Sequence, residues 1–235
     1  MTQFAPQFKT IKMVVFDLDG TLVDSMGHFV NVAADVMNRF FDVSHQDARK
    51  MYRQTSGLPF EFQLKRLFGQ DVRIPEAAQT FESEKVKTYD QACFYDDVSP
   101  ALNQLSRDLG VLLAVSSNNH QSNVDQKLAT FKESSFHRIL GYEPGFFKGK
   151  DHFDRLKQEF DLDADQILFV GDSLHDCRMA RDNHVKFAAR LGTFTRQDFT
   201  EIDPDILFLN NFYELVDLLQ NEAEQISQGV VTCRS

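Results

Sequence analysis

Two pairs of carboxylates have spacings that suit chemistry. Asp17 and Asp19 lie two apart in Asp17-Leu18-Asp19-Gly20-Thr21, and Asp172 and Asp176 lie four apart in Gly171-Asp172-Ser173-Leu174-His175-Asp176. A spacing of four puts the second pair on one face of an opening helical turn. Carboxylates crowded together repel unless a cation sits among them. An oxygen-only donor set, with no Cys or His, suits Mg²⁺ rather than zinc. None of the seven histidines has HxH or HExxH spacing. A hard cation, a lysine (Lys148 or Lys150) and the backbone amides of the Gly20-Thr21 turn together describe a phosphate site. A carboxylate facing that phosphorus can act as a nucleophile and form an aspartyl-phosphate. Asp19, directed differently, can protonate the leaving oxygen and later deprotonate the water that cleaves the intermediate.

These groups need a scaffold that gathers them. Residues 12–16, KMVVF, read as a buried strand that stops at Asp17. VLLAV (111–115) ends in Ser116-Ser117-Asn118-Asn119, and QILFV (166–170) ends in Gly171-Asp172. Further strands are expected near 138–141, at 185–189 and at 205–209. Helices are expected at 98–109, 121–131, 151–160, 174–183 and 212–224, with a polar, frayed tail beyond. Uninterrupted apolar strands alternating with helices argue a parallel sheet covered on both faces. In a doubly wound sheet, ligands bind at the carboxyl ends of the strands, near the switch point. Asp17, Asp19, Ser116, Ser117, Asn118 and Asp172 all fall at that edge, with Lys148 and Lys150 in the loop after the third strand.

From Ser25 the pattern turns helical. Met26, Phe29, Val30, Ala33, Val36, Met37 and Phe40 form one stripe. More helices are expected at 44–55, 60–68 and 76–91, with Ser44 as an N-cap and Pro75 in a first turn. The expected architecture is a doubly wound, Rossmann-like α/β core of residues 1–24 and 93–235, with an all-helical insertion over 25–92.

With those residues placed, the chain resembles the haloacid dehalogenase-like hydrolases over essentially its whole length. Asp17-Leu18-Asp19-Gly20-Thr21 after its strand resembles that family's first motif. Ser116 after VLLAV resembles the second, Lys148 or Lys150 the third, and Gly171 to Asp176 after QILFV the fourth. The helical insertion resembles the family's cap. The resemblance implies that Asp17 is the nucleophile and a Mg²⁺ ligand, and that Asp19 is the general acid/base with its backbone carbonyl on the metal. It implies that Ser116 and the lysine hold the phosphoryl group, that Asp172 ligates Mg²⁺, and that Asp176 supports the metal or orients the lysine. Thr21, Ser117 and Asn118 join the expected phosphate-binding set, although Asn118 can instead cap the following helix. The family's third-motif lysine is commonly followed by proline, whereas Gly149 follows Lys148 here. Lys148 is favoured over Lys150 by its position relative to Phe153 and the next helix.

An aspartate at position 19 further implies the phosphatase and phosphomutase branch, since members resembling dehalogenases or phosphonatases lack it. The expected function is a Mg²⁺-dependent phosphatase of a small phosphomonoester, in the sugar phosphate, phosphoglycolate or nucleotide class. The alternatives are a phosphomutase resembling β-phosphoglucomutase and a non-catalytic protein on the same fold.

Plainer readings hold for other residues. Asp-x-Asp-Gly-Thr alone is also a turn sequence; its pairing with the Gly-Asp-x-x-x-Asp element, each after an apolar strand, favours the site. Arg190, after VKFAA, is read as a surface or salt-bridged residue ahead of one that reaches a substrate, and Arg53, Lys65 and Arg66 as solvated helix faces ahead of substrate contacts. His175 is read as a loop residue. Phe60 and Phe62 either pack or line a substrate mouth.

Composition bounds the rest. At ~150 residues per domain, 235 residues suit a core with an insertion. Apolar residues at 42% and charged residues at 26% exclude a disordered chain. A net charge of −10 disfavours nucleic acid and anionic lipid as partners. No apolar run is long enough for a transmembrane helix, and MTQFAPQFKTIK lacks signal-peptide features. Cys93, Cys177 and Cys233 have no metal-like spacing and read as reduced thiols. A cytoplasmic monomer or weak homodimer acting on a small phosphorylated metabolite is expected. The 23 Phe against 5 Tyr and no Trp read as packing, since Phe needs no hydrogen-bond partner.

Overall fold

The computed structural model describes residues 8, 10–89, 91–131 and 136–232. Cys233 and most of the N-terminal segment read above lie outside the described residues.

Six parallel strands form one sheet in the order β3-β2-β1-β4-β5-β6. They are β1 (Met13–Phe16), β2 (Leu112–His120), β3 (Arg138–Tyr142), β4 (Ile167–Gly171), β5 (Lys186–Arg190) and β6 (Leu207–Leu209). The chain moves outward from β1 in one direction through β2 and β3, then returns to the other side of β1 for β4. The switch point therefore lies at β1, where Phe16 is in register with Val115 on one side and Val170 on the other. The Asp17 amide donates to the Val170 carbonyl at 2.9 Å, so pairing runs up to the first candidate residue.

Side chains of β1 alternate between two cores. Val14 and Phe16 join one with Val115, Leu168 and Val170. Met13 and Val15 join the other with Ala114, Ile167 and Phe169. Helices cover both. On the first face lie α5 (Val98–Asn103), α6 (Gln121–Ala129) and α10 (Phe212–Thr232). On the second lie α7 (Lys150–Phe160), α8 (Leu174–Asp182) and α9 (Arg196–Thr200), through Phe153, Cys177 and Phe199. Burial on both faces is why these strands are apolar throughout rather than alternating.

From Met26 to Tyr89 every element is a helix: α1 (Met26–Phe41), α2 (His45–Thr55), α3 (Phe60–Phe68) and α4 (Ile74–Tyr89). The stripe on α1 is buried at Phe29, Val30, Ala33, Val36 and Met37. Ser44 caps α2 by accepting from the Asp47 amide at 3.1 Å. Apolar contacts run continuously from these helices into the first core.

Several elements differ from expectation. β2 does not stop at Val115 but continues through Ser116-Ser117-Asn118-Asn119 to His120. α5 ends in a π-helical turn over Gln104–Asp108. The short helix α9 has no apolar period to betray it; a reciprocal cap between Thr195 and Asp198 sets its start. α10 passes Glu224, where fraying is expected, and reaches Thr232. Among the described residues no helix is long and apolar enough to cross a membrane.

Candidate active site

Asp17, Asp172 and Asp176 converge beyond the carboxyl ends of β1 and β4. All three are buried, and each offers a carboxylate oxygen such that the three atoms lie within 4.8 Å of one another. Lys148 Nζ reaches into the group, 2.7 Å from Asp17 Oδ1 and 2.6 Å from Asp176 Oδ1. Lys150 points elsewhere; its side chain is 76% exposed and pairs with Asp154 one helical turn on. Of the two lysines left open by the sequence, the structure brings only Lys148 to Asp17.

Local chemistry fixes each carboxylate. Asp176 sits in the first turn of α8, where Ser173 caps the helix by accepting from the Asp176 amide at 3.1 Å. The Ser173 hydroxyl donates to Asp176 Oδ2 at 2.6 Å, which leaves Oδ1 for the lysine. Thr193, beyond β5 at the same sheet edge, donates to Asp172 Oδ2 at 2.5 Å. Gly20 has φ +81°, and a Cβ there would run into the Asp172 carboxylate. Only glycine lets the turn after Asp19 pass so close.

Three buried carboxylates face one ammonium group, and the ionisation equilibria register the imbalance. Burial raises the Asp17 pKa well above the ordinary carboxylate value; Lys148 opposes this, while Asp176 and Asp172 add to it. Asp172 is pushed up to about 7 by burial and then by Asp176. For Lys148, burial works against the charge, but Asp17 and Asp176 outweigh it and raise the pKa. A crowded, oxygen-only donor set with surplus negative charge fits a hard divalent cation, reached directly or through water. Asp17, Asp172 and Asp176 are the residues that could hold it.

The Asp19 side chain is directed away from this cluster. Its Oδ1 accepts from Ser25 Oγ at 2.6 Å, and its Oδ2 accepts from the Asn119 amide nitrogen. Asn119 Oδ1 in turn accepts from Lys85 Nζ on α4. Burial raises the Asp19 pKa, against the opposing pull of Lys85.

The strand extension corrects the expectation for Ser116. Continuing the two-residue alternation of β2 sends Ser116 to the face of Ala114, over α7. There it is fully buried at 2.8 Å from His152 Nδ1, and it does not line the cavity. Ser117, Asn118 and Asn119 line it instead. Thr21 is buried behind Asp17, with its hydroxyl 3.5 Å from Asp17 Oδ2, and does not line the cavity either. Asn118 donates to the Gly57 carbonyl at 3.2 Å, so it ties the α2–α3 turn to the sheet edge.

The cavity measures about 100 Å³ and is roofed by the inserted helices, through Tyr52, Phe60, Phe81 and Lys85 among others. Gly57, with φ +93°, presses against Ser173 and His175, and a Cβ there would collide with both. His175 stands outside the cation-binding group. Arg190 makes a two-pronged buried pair with Asp97, at 3.0 Å for each bond. Sequence reasoning assigned no role to Asn119, Lys85, Ser25 or Thr193. Lys85 carries a signal: it lies four residues from both Phe81 and Tyr89, as a cation on a buried apolar stripe.

Residues 14–190 match the family model described as haloacid dehalogenase-like hydrolase. The chain is 26% identical to the phosphoglycolate phosphatase of Photobacterium profundum over 91% of this chain and 98% of that protein. It is 25% identical to the N-acetylmuramic acid 6-phosphate phosphatase of Pseudomonas aeruginosa, over 89% and 95% respectively. Among solved structures, a haloacid dehalogenase-like family protein from Streptococcus pneumoniae superposes with TM-score 0.75 at 25% identity. That match covers 89% of this chain and 98% of the other.

Proposed function

The chain belongs to the haloacid dehalogenase-like hydrolases, and from that premise we propose that it is a Mg²⁺-dependent phosphatase of a small phosphomonoester. The observation that carries this reading is the buried group of Asp17, Asp172 and Asp176 around Lys148, with Asp19 beside it but turned away. The relatives named for phosphoglycolate and for N-acetylmuramic acid 6-phosphate support a small phosphomonoester as substrate, and within that class we keep a sugar phosphate, phosphoglycolate or a nucleotide.

In this mechanism an Asp17 oxygen attacks phosphorus as the ester P–O bond breaks, giving phospho-Asp17. The leaving alkoxide takes the proton of Asp19. Asp19, now a carboxylate, accepts a proton from water as that water attacks the phosphorus of phospho-Asp17. The acyl phosphate P–O bond breaks, and Asp17 returns as a carboxylate with inorganic phosphate released. Lys148, Ser117 and backbone amides of the Gly20-Thr21 turn hold the phosphoryl oxygens. Asp17, Asp172 and Asp176, with the Asp19 carbonyl, would hold Mg²⁺, which would supply positive charge beside the transferring group.

Residues 25–92 act as a cap over the core of residues 1–24 and 93–235. Closing it excludes water and reads the organic part of the substrate. Cytoplasmic residence belongs to the same reading, supported by the free thiols Cys93 and Cys177; so does a monomeric or weakly dimeric state.

The test is turnover of p-nitrophenyl phosphate and a phosphometabolite panel with Mg²⁺, with and without chelator. Hydrolysis that the chelator abolishes is expected. Conversion of glucose 1-phosphate to glucose 6-phosphate would make the protein a phosphomutase, and no turnover of any ester would make it a binding protein.

A further inference from the structure

The reaction cavity, about 100 Å³, is the smaller of two that share a wall. A second cavity of about 470 Å³ adjoins it, with Pro59, Phe60, Glu82 and Asn118 lining both. Its size is that of a small-molecule site, and the shared wall sets it next to the cavity that contains Asp17.

Its walls are aromatic and come from both halves of the molecule. Phe60 and Phe62 come from α3, Tyr142 from the end of β3, and Phe147 from the loop after it. Tyr142 and Phe147 have ring centroids 5.3 Å apart. Phe62 is 55% exposed and Phe147 49% exposed, though both are large apolar side chains. Two partly exposed phenyl rings thus flank one cleft.

Charge narrows the occupant. Among the described residues, no lysine or arginine lines this cavity. Its two carboxylates are already ion-paired: Glu61 with Lys65 at 2.6 Å, and Glu82 with Lys85 at 3.2 Å. The nearby ammonium groups are committed to these carboxylates, Lys65 also lying over the Phe62 ring at 5.4 Å. His120, against Tyr142, is the one lining group among the described residues that can carry positive charge. A leaving group carrying a carboxylate or a second phosphate therefore finds no uncommitted lysine or arginine in the lining. A flat apolar ring finds faces to stack on.

Resting on the phosphatase reading, we infer that the second cavity is a leaving-group subsite for an uncharged alcohol bearing a ring with an apolar face. Its occupant is the organic part of the substrate, and it selects ring-bearing esters over phosphoglycolate. Both an aromatic ring and the C–H face of a sugar ring present this chemistry.

The experiment compares kcat/KM, with Mg²⁺, for 2-phenylethyl phosphate, ethyl phosphate, 2-phosphoglycolate and glucose 6-phosphate. The first two leave as primary alkoxides of similar basicity, so their ratio reports binding of the ring and not leaving-group chemistry. 2-Phenylethyl phosphate is expected to exceed ethyl phosphate by about tenfold or more. In the double variant Phe62→Ala/Phe147→Ala that excess should collapse while ethyl phosphate stays within about twofold. If glucose 6-phosphate is favoured and loses its advantage in the variant, the ring is a sugar; if only the phenyl ester does so, it is aromatic. Equal rates for the two alkyl esters, a variant that slows both alike, or a preference for phosphoglycolate would overturn the subsite. Turnover of none of the four would overturn the phosphatase reading itself, and the subsite with it.

Discussion

Lys148 and Asp17 meet in a buried ion pair of 2.7 Å across 131 positions of sequence. The lysine is also the counter-ion of Asp176, so its removal leaves buried carboxylates uncompensated. Lys148→Met should lower the stability of the chelated protein by about 3–5 kcal/mol, read by urea unfolding, and Mg²⁺ should restore part of it. Lys150→Ala breaks only an exposed pair with Asp154. It should stay within ~0.5 kcal/mol and near the parental turnover. The opposite pattern would exchange the roles of the two lysines.

Asp17→Asn should cut phosphatase turnover by at least ~10³, with far-UV circular dichroism unchanged. Near-normal turnover in this variant would refute an aspartyl-phosphate on residue 17. Asp19→Asn should cost roughly 10²–10⁴ in turnover while Mg²⁺ affinity changes little, because the Asp19 carboxylate bonds to Ser25 and Asn119 instead of the cation-binding group.

The carboxylate group sets a pH dependence that metal should reverse. The folded-state pKa of Asp172 is raised from 3.8 to about 7, so between those values the folded protein binds more protons than the unfolded chain. Stability of the chelated protein from this group is present below pH 4 and is lost as pH rises toward 7. Asp172→Asn should flatten that fall, and Mg²⁺ should raise Tm most at neutral pH. A Tm difference between variant and parent that does not change with pH in chelator would contradict the assignment.

His152 works in the opposite sense. Burial, then Lys148, lowers its pKa from 6.5 to about 4. Between those values the unfolded chain binds the extra proton, so the stability of neutral His152 is present above pH 6.5 and is lost as pH falls toward 4. The stability difference between parent and His152→Gln should shrink by up to about 3 kcal/mol over that interval on acidification. A difference constant from pH 4 to 7 would show that His152 titrates normally.

Much of this site was legible because strand ends are abrupt. MVVF stops at Asp17 and ILFVG stops at Asp172, and both follow uninterrupted apolar runs, so the sheet edge carrying them could be read directly. Ser116 was misplaced for the converse reason. β2 has no apolar signal beyond Val115, yet it continues to His120, and one residue of strand decides which face a side chain takes. Asn119 and Lys85 reach Asp19 through a contact between α4 and β2, and no short-range pattern reports which helix of an insertion packs over which strand. The order of Asp17, Lys148 and Asp172 along the chain was enough for the chemistry. Which cap side chains meet the substrate depended on that tertiary packing.

The central place of β1 also shapes how this protein is made. Its neighbours are β2 and β4, so on the ribosome β1 emerges with neither partner. Residues 112–115 are translated before one edge can pair, and 167–170 before the other. The apolar strand that leads into Asp17 thus stays unzipped through most of translation, while the inserted helices, whose contacts are local, can form first. Reactivity arrives late: a nascent chain cut short before β4 lacks Asp172 and Asp176.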